Sequence, residues 1–139
     1  MKFPLEWLIN IRKNELSIIE LELSSINNKI NNNNTLREKN TNLISKYKLD
    51  LYSCAETWKL QSIIRSIENC ENSNSKLEEE LKYLIKDRDM ILVRYNDKHV
   101  EIKLLEKAKE KFLIKEKEIR SKKEESEINE LSLIIRKDL

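Results

Sequence analysis

Apolar residues return along this chain at alternating spacings of four and three, the signature of a helix that buries one narrow stripe against another helix. Near the start the stripe reads Leu5, Ile9, Arg12, Leu16, Ile19, Leu23, Ile26 and Ile30, with Arg12 its one polar member. It turns polar at Asn33, Arg37 and Asn40 and returns in the same phase at Ile44, Tyr47 and Leu51, so the polar run need not end the helix. A second stripe reads Leu77, Leu81, Leu84, Arg88, Ile91, Tyr95, Lys98, Ile102 and Leu105. There a long basic side chain can lay its stem along the seam and send its charge to water.

Two such stripes in one chain predict two helices that pair with each other. Three capping-box patterns mark places where a new helix could start: Thr35-x-x-Glu38, Ser53-x-x-Glu56 and Ser75-x-x-Glu78. Pairing chooses among them. A reversal at 52–57 sets the apolar stripe of residues 5–30 against that of 81–105, and the polar run of the first helix against the polar stretch 71–75. A reversal at 70–75 would instead set residues 33–40 against Ile102 and Leu105, stranding aliphatic side chains on amides. The first arrangement is favoured. The expected fold is all-α: a two-helix antiparallel coiled-coil hairpin with a longer second helix, the helices at 4–51 and 58–137. Pro4 suits a first-turn position. The end of the second helix would then project past the first, and there Ile119 is isolated among charges while Ile128, Leu131, Ile134 and Ile135 rebuild an apolar face.

Composition strengthens this picture mainly by exclusion. The 139 residues include no glycine and one proline, so phosphate-cradling loops and tight hairpins have no material. Charged residues are 37% and hydrophobic residues 39%, enough for a helical stripe but hardly for a wide core. Twenty-seven basic and 25 acidic residues leave a net charge of +2, too balanced to make nucleic acid the expected partner, and the Lys-rich stretch 107–117 is interleaved with glutamate. No apolar run approaches the roughly 20 residues needed to cross a bilayer, and the first residues carry no secretory pattern, so a cytoplasmic protein without direct membrane insertion is expected.

No catalytic constellation is visible, and no enzyme is expected. Cys54 and Cys70 are too far apart for a redox pair, and two thiols with the lone His99 cannot assemble a four-ligand zinc site. Neither metal nor cofactor is expected. Tyr52 and Trp58 at the reversal and Trp7 at the opposite end read either as plugs closing a thin core or as partner anchors, since aromatic side chains on a helical tip favour interfaces. Two seams of comparable length in one chain also imply a monomer when free.

The residues resemble a known family. The opening Phe3-x-Leu5-x-x-Leu8-x-x-x-Arg12 with Glu15 resembles the start of flagellar export stalk proteins of the FliJ type. The segment 53–67, with Gln61, Ile63, Ile64 and Ile67, resembles the stretch after that family's helical reversal. Leu104-Leu105-Glu106-Lys107, followed by residues 123–130, is similar to its charged C-terminal signature, with Asn129-Glu130 where Asp-Glu is usual. The stalk proteins of type III injectisomes are close relatives of that family.

The resemblance implies a central stalk that enters the hexameric export ATPase, promotes its assembly, and links it to the cytoplasmic domain of the export gate, peripheral to the membrane. It also implies escort of export chaperones. The gate-facing patch carries over to Asn40, Ile44, Tyr47 and Leu51 on the first helix and to Ile63, Ile67, Cys70 and Asn74 on the second, with Trp58 beside them. The ATPase would meet the terminal face of Ile119, Ile128, Leu131, Ile134 and Ile135. The alternative from the residues alone is a structural or chaperone-like coiled coil unrelated to secretion.

Overall fold

The computed structural model describes residues 2–138, with side chains to residue 137. The protein is all-helical: α1 (Glu6–Ser53) has 48 residues and α2 (Thr57–Asp138) has 82. Only Cys54, Ala55 and Glu56 separate the two helices. The polar run at 31–34 does not break α1, which is continuous from Glu6 to Ser53; Thr35 and Thr41 donate their hydroxyls back to the carbonyls of Asn31 and Arg37 within it.

None of the three capping boxes is used. Thr35 and Ser75 lie inside helices, and Ser53 ends α1 with its hydroxyl donated to the Asp50 carbonyl. Glu56 takes the position before α2, its carbonyl accepting from the Leu60 N–H at 3.1 Å. Among the described residues no backbone has positive φ, so the turn is made without the left-handed geometry that glycine favours.

The buried positions form one stripe per helix. On α1 the side chains at 9, 12, 16, 19, 23, 26, 30, 33, 37, 40, 44, 47 and 51 are all buried or half-buried. On α2 the same four-three rhythm holds from Leu60 to Glu116. The chain divides into two compact units, Met1–Ser17 with Asn96–Leu139, and Ile18–Tyr95.

In the first unit Leu5 is a correction to the seam. It is 39% exposed, and Phe3 is buried in its place. The reason is local: a turn with Pro4 at its second position, closed by Glu6 N–H donating to the Phe3 carbonyl at 3.2 Å, folds the chain back ahead of α1. The Phe3 ring then meets Phe112 with centroids 5.5 Å apart and planes at 59°, a favourable tilted pair. Pro4 accordingly precedes the helix instead of opening it.

The two basic interruptions of the seam in this unit, Arg12 and Lys98, share the same two carboxylates. Arg12 reaches Glu15 at 2.9 Å and Glu101 at 3.3 Å, and Lys98 reaches Glu15 at 2.6 Å and Glu101 at 3.5 Å. Two cations that would repel across a seam are thus bridged by two anions. Lys13–Glu106 at 3.2 Å and Lys109–Glu6 at 2.7 Å continue the ladder. From the Glu15–Lys98 contact to the Glu6–Lys109 contact, residue numbers fall along one segment and rise along the other.

In the second unit Ile19, Ile26, Ile30 and Ile67 are buried. So is Asn33, only 3% exposed, whose amide donates to the Leu77 carbonyl at 2.8 Å while its oxygen accepts from Arg37 Nε at 2.9 Å. A layer further on, the Asn40 amide donates to Asn74 Oδ1 at 3.0 Å and to Ser73 Oγ at 3.1 Å. Polar side chains meet polar groups, and each amide that leaves water finds a partner.

The charge bridge in the first unit carries a pH dependence. The hydrogen bond from Lys98, helped by Arg12 against some desolvation, holds the Glu15 carboxyl below its ordinary range, and the same bond raises the Lys98 ammonium. A depressed carboxyl adds stability that is in place above its unfolded pKa and is lost as pH falls through the folded one. A raised ammonium adds stability present below its unfolded pKa and lost as pH rises through the folded one. This unit should therefore pair best between the two limits. Side-chain NMR should find the Glu15 midpoint below that of an unpaired glutamate, and Lys98→Met should raise it; an unchanged midpoint would show that the bridge does not persist in solution.

Candidate interaction surfaces

Two helices bury one stripe, so the side chains available to partners are apolar residues off that stripe. At the turn, Tyr52 is 91% exposed, Trp58 67% and Leu49 70%. Lys59 Nζ sits 5.4 Å from the Trp58 ring centroid and 3.7 Å from Glu56 Oε2, a weak exposed cluster around the indole. Cys54 donates its thiol to the Glu56 carbonyl at 3.7 Å, and both cysteines are free. Tyr52 and Trp58 thus cap nothing and stand in solvent as anchors would. Trp7 is exposed as well, with Phe3 and Phe112 closing the contact near it.

The residues assigned to the gate by resemblance have a different character. Ile44, Tyr47, Leu51, Ile63 and Cys70 are half-buried seam residues, Ile67 is buried, and Asn40 and Asn74 bond each other. Only Trp58 of that group is exposed. The structure adds Leu49 and Ile64 to the exposed apolar set around the turn. Leu49 is legible in the sequence as an aliphatic residue out of phase with the four-three rhythm, where a solvated helix face would carry a polar side chain.

At the far end of α2, Ile119, Ile128, Leu131, Ile134 and Ile135 are all exposed, joined by Leu133. Every described side chain beyond Glu116 is exposed. Continuing the seam rhythm past Glu116 gives Ile119, Lys123, Ser126, Glu130 and Leu133, which is largely polar. Ile128 and Ile135 fall between those positions, roughly on the opposite side of the helix. The terminal apolar face is therefore not the unpaired continuation of the α1 contact but a separate face.

A third surface was not visible in the seam count. Within the second unit a shallow groove of about 630 Å³ runs between the helices, floored by Ile26 and Ile91 and walled by Ile18, Leu21 and Met90. Its rim carries the Glu22–Arg94 ion pair at 2.8 Å together with Lys29 and Asp87. Ile18, Leu21 and Met90 are out of phase with the seam, the same signal that marks Leu49.

Among the described residues no group of three His, Cys, Asp or Glu could hold a metal ion, and no helix is long and apolar enough to cross a membrane. His99 is a half-buried helix residue with an interaction of its own. The fold and surfaces define a coiled-coil-like helical protein whose features are contact faces. The chain matches no family profile, no curated protein sequence and no solved structure.

Burial separates seam from surface energetically. Ile26→Ala should cost about 2 kcal/mol in urea unfolding, because it empties a site enclosed by both helices. Leu131→Ser and Ile134→Ser together should change stability by less than about 0.5 kcal/mol, because neither side chain leaves water on folding. A comparable loss in both variants would mean that the terminal face is covered in the free protein.

Proposed function

We propose that this chain is a non-enzymatic central stalk and assembly factor of a flagellar type III protein-export ATPase. In this reading α1 and α2 form one antiparallel coiled-coil hairpin, its terminal end held in the ATPase hexamer and its turn directed to the cytoplasmic domain of the export gate. The protein works peripherally at the membrane-associated export apparatus and escorts export chaperones there. The sequence resemblance to FliJ-type proteins sets the identity of these partners.

The observation that carries the reading is the terminal segment of α2. A free helix in water gains nothing from aliphatic side chains at 128, 131, 134 and 135, each of which forgoes on the order of 1.5–3 kcal/mol of burial while exposed. Their rotation off the α1 seam suits a surrounding partner better than a longer first helix. The charged stretch between Lys115 and Glu127 offers both signs in close alternation, which suits a loose fit inside a ring. Exposed Tyr52, Trp58 and Leu49 at the turn supply the second contact that a linking element requires.

Deleting residues 127–139 should leave thermal unfolding nearly unchanged and reduce stimulation or hexamer assembly of a flagellar export ATPase. Full stimulation by the truncated protein would reverse the assigned polarity, and absence of any ATPase binding by the intact protein would favour a coiled coil unrelated to secretion. At the turn, Tyr47→Ala, Leu51→Ala and Ile63→Ala combined should weaken binding to the gate domain more than they lower helicity. Lost thermal stability with unchanged gate affinity of the folded fraction would make these residues seam only.

A further inference from the structure

In the second unit nothing in the turn specifies where the chain must reverse. Cys54, Ala55 and Glu56 include no glycine or proline, no residue there has positive φ, and the Ser53-x-x-Glu56 box is unused. The apolar layers are equally permissive. Ile19, Leu23, Ile26 and Ile30 are aliphatic at successive seam positions, and after a slip of one heptad they would still meet a seam rich in Leu77, Leu81, Leu84 and Ile91.

The Asn40–Asn74 layer is not permissive. Asn33 is buried and reaches a main-chain carbonyl on the other helix, and Asn40 bonds Asn74 and Ser73, with Asn74 donating on to Thr41 Oγ1 at 3.5 Å. A one-heptad slip would set Asn40 against Ile67 or Leu81 and Asn33 against Cys70 or Leu84. Asn40 would then lie in an apolar layer without Asn74 and Ser73, which is costly, whereas Asn33 would keep Arg37 and find the Cys70 or Leu84 carbonyl in place of that of Leu77. A polar residue in a coiled-coil seam lowers stability while fixing register.

We propose that the Asn40–Asn74 layer sets the register of the two helices in this unit, and with it the place of chain reversal, while the turn is a passive linker. The inference holds whatever partners the protein has.

Spin labels at the exposed positions Lys39 and Lys76, each changed to Cys after Cys54→Ala and Cys70→Ala, report the register as a distance. The parent should give one narrow distribution. Asn40→Leu with Asn74→Leu should keep full helicity and a thermal midpoint no lower than the parent's, and should add a population displaced along the helix axis by one heptad, about 10 Å. Replacing residues 54, 55 and 56 by glycine should leave the parental distance in place. Dilution with unlabelled protein isolates the intramolecular distance in every case. A leucine variant that keeps the single parental distance overturns the proposal, as does one that loses helicity, or a glycine turn that moves the distance.

Discussion

A pair of helices can enclose only the residues that face each other, and here that contact is one stripe wide in each compact unit. All else follows from this limit. Most seam positions remain half-buried, because no third layer covers their flanks, and the buried aliphatic set within the described residues is small. What the fold offers to other molecules is surface: faces at known angles to the seam, presented on stiff helices.

The stripe is interrupted by polar side chains in both units, and the two units resolve the interruption by different chemistry. In the first, Arg12 and Lys98 keep their charge and share Glu15 and Glu101, an arrangement in which partial exposure limits both the desolvation cost and the energetic return. In the second, uncharged amides exchange hydrogen bonds across the contact, and Asn33 can be almost fully buried because its donor and acceptor are both engaged. Charge tolerates sliding, since a long side chain can follow its counter-ion. An amide bonded to one particular side-chain amide does not, which is why register is carried by the Asn40–Asn74 layer.

The exposed apolar residues divide by their relation to the seam. Tyr52, Trp58 and Leu49 cluster at the turn, where the helices end and cannot cover them. Ile128, Leu131 and Ile135 lie past the last buried layer and on the side away from it. Ile18, Leu21 and Met90 wall a groove beside it. Each set keeps aliphatic or aromatic area in water, a cost that folding alone does not recover and that contact with a partner would.

The sequence by itself determined that the chain is helical, that two stripes exist, and which residues along each helix turn away from water. Burial of this kind follows from angular position on a helix, a property counted along one segment without reference to another. Leu5 shows where counting stops, because Pro4 ends the helix early and the chain beyond it bends Phe3 inward. Only the tertiary structure decided that Arg12 and Lys98 share their carboxylates, that Asn33 meets the Leu77 carbonyl, that none of three equivalent capping boxes is used, and that Tyr52 and Trp58 stand free. Those outcomes depend on which residue of one helix lies opposite which residue of the other. Relative register of this kind is not encoded in either stripe alone; it is set by the few polar side chains that must find a partner when the helices meet.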